Sequence, residues 1–367
     1  MVSWRVQKNH PTEKQFFSVY NKMILAVGDK EVKDLEERWT QFRDLFPTLS
    51  RIEGDEITKI EPLVMEGRDP QEAVLALSSP DGYTIDYGAL SQSFVAQTLK
   101  DTKDKIIDIF YNTLIFKVEQ DKDGYTVYTH GKKSFRCKVL IVSAGGHTPL
   151  IAQSLGYAKN YSILSVAGSF FNSSRKILNG KVYTMQIPKL PFAAVHWDPD
   201  VYNSKQTRFG PTAKGIFMLE RYNYKSIREY FKVFGFRWKA FQIIIKLATD
   251  KIIWPYLLKN FWYDVPYFGK RSFIKVLKKV IPTITPDDII PGHKLGGTRP
   301  QILNLDTMEL EIGEAKIIWD KVIFNITPSP GATTCLANAY DDTQTVMGFF
   351  KGEYTFDKEE FEKHYVK

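Results

Sequence analysis

A short apolar run closed by a glycine pair limits what this chain can fold into: "KVLIVSAGGHTPLIAQSLGY", Lys138 to Tyr157. Val139 to Val142 form a continuous apolar strand of the kind that a parallel sheet buries on both faces. Gly145 and Gly146 then turn the chain into a helix from about Pro149. A helix N-terminus reached through glycines offers backbone N–H groups to an anion or a polar ring. The same glycines would also serve a tight turn and close packing, so the motif by itself names a kind of sheet and leaves the ligand open.

The rest of the chain surrounds that element with mixed structure. "KMILAV" (22–27) predicts a strand, and the recurrence of Val32, Leu35, Trp39, Phe42 and Phe46 every three to four residues predicts a helix over 30–46, with Asp29 as its cap and Pro47 as its stop. "AVLALSS" predicts a buried strand ending at a Pro80-Asp81-Gly82 turn, and Asp86 caps a helix through about Leu99. Between Lys105 and Val142 short β-rich runs alternate with turns, including a hairpin closed at Lys122-Asp123-Gly124. Further strands are predicted at "SILSVAGSFF", "KVYTMQI", "FAAVHWD", "TRFGPTA" and "GIFMLE". Residues 223–281 then read as aromatic-basic helices broken at Pro255 and Pro266, strands resume over 296–324, and the chain ends in a helix-prone "DKEEFEKHYVK". The pattern is a meander with mixed sheets, one α+β body without repeats or a clear linker.

Composition removes several classes. The chain has 367 residues with 43% hydrophobic and 14% aromatic content, enough for a sizeable core. Cys137 and Cys335 lie far apart, which predicts no disulfide framework, no cysteine metal site and a reducing, cytosolic setting. No apolar run approaches the ~18 to 20 residues of a membrane span. A formal charge of +8 would attract nucleic acid, anionic lipid or acidic metabolites, but the sequence carries no zinc finger, RNA-binding aromatic motif or basic tail, so nucleic acid is set aside. Walker A, Gly-x-Ser-x-Gly and HExxH patterns are also absent, and no metal ligand is assigned.

Three clusters remain: Gly145-Gly146-His147, His196 with the Arg208-Phe209-Gly210-Pro211 turn, and Gly296-Gly297-Thr298-Arg299. A histidine and two arginines suit an acidic substrate, since guanidinium binds carboxylate through paired hydrogen bonds and a histidine accepts a proton near neutral pH. His196 reads equally as a core residue bonded to backbone, and Arg208 as half of a surface ion pair. Arg299 stands between small neighbours, which indicates a close approach of backbone to something else.

"EPLVMEGRDP" (61–70), "TIDYG" (84–88), "SAGGHTPLIAQSLGY" (143–157), "AVHWDPD" with "TRFGPTA", "GGTRPQ" and "NITPSPGATT" together resemble the malate:quinone oxidoreductase family, within the wider D-amino-acid-oxidase-like flavoproteins. They run in the family's order over nearly the whole chain, and the first is the most distinctive. The resemblance implies a mixed α+β and α/β fold of the glutathione-reductase/D-amino-acid-oxidase kind. It implies one intimate two-lobed body, with FAD-facing parts about 84–160 and 290–350 and a substrate, sheet and helical lobe about 1–83 and 161–289. It further implies FAD as cofactor, malate and a membrane quinone as partners, and a cytoplasmic protein held peripherally on the inner face of the cell membrane.

By the same resemblance Gly145, Gly146, Gly297, Ser329, Gly331, Ala332 and Thr333 would lie against the flavin, and Arg299 would hold a substrate carboxylate at its reacting side. Oxidising a 2-hydroxy acid removes the hydroxyl proton while hydride leaves the α-carbon, so a base is required. His196 is the first candidate and His147 the second, with Arg208 joining Arg299 on malate's carboxylates. Family members begin with a strand, a Gly-x-Gly-x-x-Gly turn and a helix that hold the FAD pyrophosphate. "MVSWRVQKNHPTEKQFF" matches a point further inside that pattern, so the chain is expected to be N-terminally incomplete and to expose apolar sheet edges. The rival readings are a flavoenzyme for another 2-hydroxy diacid such as 2-hydroxyglutarate, and a non-catalytic protein using 223–281 as a membrane-surface or partner-binding platform.

Overall fold

The structure is a computed structural model and describes residues 16–101, 106–185, 195–263, 265, 268–292, 296–311, 313–326 and 331–365. Strand β1 (Phe17–Val27) leads through Gly28 into helix α1 (Asp29–Phe42), whose Leu35 packs with Ala26, Leu75 and Leu77. Gly28, not the predicted Asp29, occupies the cap position, and the helix stops at Phe42, leaving Phe46 in solvent. Asp29 instead belongs to the acidic first turn, and Glu31 accepts the Val27 N–H at 3.2 Å. Carboxylates there complement the helix dipole without a side-chain cap.

After β2 (Ser50–Ile52), α2 (Gly54–Ile60) and α3 (Pro62–Met65) comes β3 (Val74–Ile85). The predicted Pro80-Asp81-Gly82 turn is carried inside β3 as a bulge: Tyr20 pairs with Gly82 and Lys22 with Ser79. β2 pairs with β3 over Ala76 to Ser78, so Pro80 lies past it and owes that side no donor. An added Cβ at Gly82 would sit 2.5 Å from the Tyr20 carbonyl oxygen, which fixes glycine at the bulge.

Helix α4 (Tyr87–Asp101) starts as expected, with Asp86 accepting the Ala89 N–H at 3.0 Å. The meander is β4 (Ile115–Gln120), β5 (Tyr125–Thr129) and β6 (Ser134–Cys137), its first hairpin held by the Asp121 carboxylate on the Asp123 and Gly124 N–H groups. Strand β7 (Leu140–Val142), a 3-10 turn at Gly145–His147 and α5 (Thr148–Ser154) follow. Next come β8 (Tyr161–Ala167), β9 (Phe171–Ser173), β10 (Lys181–Thr184), β11 (His196–Pro199), β12 (Thr207–Gly210) and β13 (Lys214–Ile216).

The aromatic-basic region is four helices, α6 (Ser226–Phe234), α7 (Trp238–Thr249), α8 (Ile253–Tyr263) and α9 (Phe268–Leu277). Pro255 does not break this region as expected, because it sits in the first turn of α8, where its missing N–H has no helical acceptor. Pro266 lies outside the described residues. Strands β14 (Ile289–Pro291), β15 (Thr298–Asn304), β16 (Glu309–Glu311), β17 (Ala315–Trp319) and β18 (Val322–Ile326) precede α10 (Gly331–Phe349) and α11 (Lys358–Tyr365).

Eight strands form one sheet in the order β14-β9-β12-β11-β10-β1-β3-β2, in which only the β1–β10 pair is parallel. One face carries Met23, Leu25, Val182, Trp197 and Phe209, sealed by Phe273 and Leu277 of α9. Strand alternation sends Asn172, Lys181, Tyr183, His196, Asp198 and Arg208 to the opposite face. A second sheet runs β13-β8-β15-β16, and a third, β17-β18-β7, pairs β18 with β7 in parallel. β7 has no partner on its other edge among the described residues. Ile141 is therefore 46% exposed, against the expectation of burial on both faces.

Candidate active site

The polar face of the large sheet is built from register. His196 pairs with Tyr183 on one side and Gly210 on the other, and Asp198 pairs with Arg208. The Tyr183 ring stacks on the imidazole at 5.0 Å between centroids. Asp198 is 2% exposed and accepts a hydrogen bond from an Arg208 Nη at 2.7 Å, while its second oxygen stands 3.8 Å from His196 Nε2. The Arg208 guanidinium lies 4.6 Å over the Phe170 ring, to which His196 presents an edge at 6.4 Å. Lys181 donates to the Tyr83 carbonyl at 2.9 Å, and its pKa is lowered by burial although Asp198 opposes the shift.

Phe170 also joins this face to Arg299. It lines a small cavity, about 40 Å³, together with Gly168, Pro211, Thr212, Gly297 and Arg299. Burial pulls the Arg299 pKa down, and among the described residues its electrostatic neighbour is the Tyr256 phenol. That phenol is itself pushed up to about 12 by burial and stays neutral, so Arg299 is a partly buried cation without a carboxylate among the described residues. Arg221 backs the cavity by donating to the Gly168 carbonyl and, at 2.6 Å, to Ser169 Oγ.

The structure therefore brings His196, Arg208, Arg299 and Gly297 together around Phe170. Gly145 and Gly146 occupy the turn after β7, beside β15 and β18. Gly145 has φ +56°, and a Cβ on Gly146 would lie 2.9 Å from the Leu219 carbonyl oxygen, so both positions have a backbone reason for glycine. His147 points to carboxylates, with Nε2 3.0 Å from Glu229 and Nδ1 3.6 Å from Glu220. No contact among the described residues joins it to His196 or Arg208. Gly331, Ala332 and Thr333 form the first turn of α10, and Ser329 lies outside the described residues.

The residues present suit a flat polar cofactor. Asn172 Oδ1, Asp198 Oδ1 and Arg208 Nε are buried on one face with no hydrogen-bond partner among the described residues. Gly297 has neither a positive φ nor, among the described residues, any atom within 4 Å of an added Cβ. No described residue requires glycine there, and the space beside it would accept a side chain. β7 and β18 run parallel, and each leads toward a helix at the same end, the arrangement that presents N–H groups to a nucleotide. A larger cavity of about 580 Å³, lined by Arg136, Lys138, Lys321 and Lys351 among others, includes none of the predicted site residues.

Sequence reasoning missed Asp198, Lys181, Tyr183 and Phe170. Asp198 was within reach, because a residue two positions along a strand from His196 shares its face. The others depend on strand pairings that no local pattern reveals.

Comparison with known proteins identifies the relatives of this chain. The family model for malate:quinone oxidoreductase matches residues 1–340. A probable malate:quinone oxidoreductase of Campylobacter jejuni is 35% identical over 98% of this chain and 81% of its own length. The Helicobacter pylori malate:quinone oxidoreductase is 38% identical over 93% of this chain and 76% of its own. Among solved structures, the FAD-bound L-α-glycerophosphate oxidase of Mycoplasma pneumoniae superposes with TM-score 0.61 at 16% identity, covering 94% of this chain and 78% of that one, which shows a shared fold. The match over most of its length, in both sequence and architecture, makes this chain a member of the malate:quinone oxidoreductase family.

Proposed function

We propose that malate is held between Arg299 and Arg208 with its hydroxyl toward His196. The chain is an FAD-dependent malate dehydrogenase that converts malate to oxaloacetate and passes the electrons to a quinone. The observation that supports the site assignment is the partly buried Arg299 cation, which lines a small cavity with Phe170 and has no carboxylate partner among the described residues. Lys181 and Arg208 flank one buried carboxylate, Asp198, and Arg299 adds a further cation across Phe170, so the excess positive charge matches a substrate with two carboxylates.

FAD, when bound, supplies the acceptor for the hydride that leaves malate's α-carbon. His196 takes the hydroxyl proton, and Asp198 stabilises the imidazolium that results. Arg299 and Arg208 fix the substrate so that rotation away from the reactive pose is suppressed. Gly297 and the turns at Gly145–Gly146 and Gly331–Thr333 are the positions that would hold the cofactor, within flavin-facing parts about 84–160 and 290–350. The edge of β7 that has no strand partner among the described residues is suited to one further parallel strand.

The protein works peripherally at the inner face of the cell membrane, where its quinone resides. No helix among the described residues is long and apolar enough to cross a bilayer. The test of the site is kinetic: Arg299→Leu should raise the malate KM and lower turnover with a soluble dye acceptor. Unchanged constants would remove Arg299 from the substrate site.

A further inference from the structure

Helices α7 and α8 are apolar on two sides. In α7, Ala240 and Ile243 point into the core, whereas Trp238, Phe241 and Ile245, spaced by three and four residues, point outward with Trp238 70% exposed. In α8, Asn260 and Tyr263 are buried, and Trp254, Leu258, Phe261 and Trp262 face solvent. A helix covering a protein core normally turns charged and polar side chains outward. Here the outward stripes are aromatic, and the charges around them are mostly of one sign: between Lys232 and Lys279 the acidic residues are Asp250 and Asp264 alone.

The inner side of α8 touches the catalytic centre. Asn260 Oδ1 accepts the Ala213 N–H at 2.8 Å, and Ala213 lines the cavity of Arg299. Tyr256, on the same helix, is the electrostatic neighbour of Arg299. One helix, about 10 Å across with its side chains, thus separates the substrate cavity from the aromatic face.

We infer that the outer face of α7 and α8 is the surface by which this protein docks on an anionic lipid bilayer. The inference rests on the quinone-linked reading above and names its partner surface. Lysines and arginines meet the lipid phosphates, while tryptophan and phenylalanine enter the headgroup region, where amphipathic rings partition. A bilayer bound there brings a lipid-dissolved acceptor to within about one helix diameter of the site where malate is oxidised. The positive charge favours anionic lipid over a second copy of this chain, which would set like charges against each other.

The test uses the FAD-loaded full chain and phosphatidylglycerol/phosphatidylcholine vesicles. Wild type should float with the vesicles at moderate salt, and vesicles of brominated lipid should quench its tryptophan emission. Trp238→Gln/Phe261→Gln/Trp262→Gln should reduce the vesicle-bound fraction at least tenfold. It should lower the rate with a vesicle-embedded quinone and leave the rate with a soluble dye intact. Tyr111→Gln/Phe116→Gln, exposed elsewhere, should float like wild type. Wild type that neither floats nor is quenched overturns the inference, as does a triple variant that floats normally. A triple variant that changes only the oligomeric state makes the face a subunit contact and overturns it too. Failure of malate to reduce the dye with wild-type protein would instead count against the malate reading itself.

Discussion

Two regions stand out in this chain for opposite reasons. The segment 61–70 is its most distinctive stretch of sequence, and the structure spends its Glu61 and Arg68 side chains on internal contacts. Glu61, 1% exposed, accepts the Asn179 and Gly180 N–H groups at 2.8 and 2.5 Å. Arg68 donates to the Val64, Lys279 and Val280 carbonyls and pairs with Glu72 at 2.8 Å. These contacts tie α2 and α3 to the turn before β10 and to the chain just after α9. The β9–β12 face is the reverse: Asn172, Asp198 and Arg208 each keep a buried polar atom unmatched among the described residues. Polar groups met within the fold are what a structural clamp requires, and those left unmet on the polar face are bonding capacity available to a ligand.

If that contrast holds, substitutions in the two regions should fail differently. The largest effect belongs to His196→Ala, expected to lower turnover roughly 10²–10⁴-fold while thermal stability and flavin content stay close to wild type. Steady-state kinetics with a soluble acceptor, paired with a melting curve, checks both halves. Arg299→Leu should cost about 2–5 kcal/mol in kcat/KM, partly through KM, because a charged substrate group loses its buried partner. Glu61→Ala should do the opposite. It leaves two backbone donors without an acceptor, so urea denaturation should show a loss of about 2–4 kcal/mol, with KM and kcat unchanged in the protein that remains folded. Altered kinetics at undiminished stability would make 61–70 part of the site and break the comparison.

The smallest effect is a pH dependence. Burial is the largest influence on Glu61 and raises its pKa above the usual carboxylate range, against the two N–H groups that lower it. A raised folded-state pKa gives stability that is fully present below the unfolded value and lost as pH rises through the folded one. Wild type should therefore lose a modest part of its stability as pH increases through that window, and Glu61→Gln should not. Parallel pH profiles of the two proteins would show that Glu61 titrates as it does in the unfolded chain.

Much of the fold was legible where information is local. Period placed α1 and capping placed α4, the Asp121 turn closed the predicted hairpin, and the apolar run before Gly145 ended in a parallel strand. Pro80 misled because its tolerance depends on where β2 stops, and Pro255 because a proline in a first turn looks like a breaker until the helix start is known. The arginines of the site were visible as residue types. The neutrality of Tyr256 beside Arg299, which turns that arginine into an unbalanced charge, arises from α8 packing on β13 and has no trace in the sequence around either residue.

The most direct test of the central claim, that malate is oxidised at the face shared by His196, Arg208 and Arg299, is anaerobic stopped-flow mixing of the FAD-loaded chain with malate, following flavin absorbance. The account predicts rapid bleaching in wild type, and in His196→Ala an unchanged starting spectrum with bleaching slowed at least a hundredfold. Equal bleaching rates in the two proteins would contradict it.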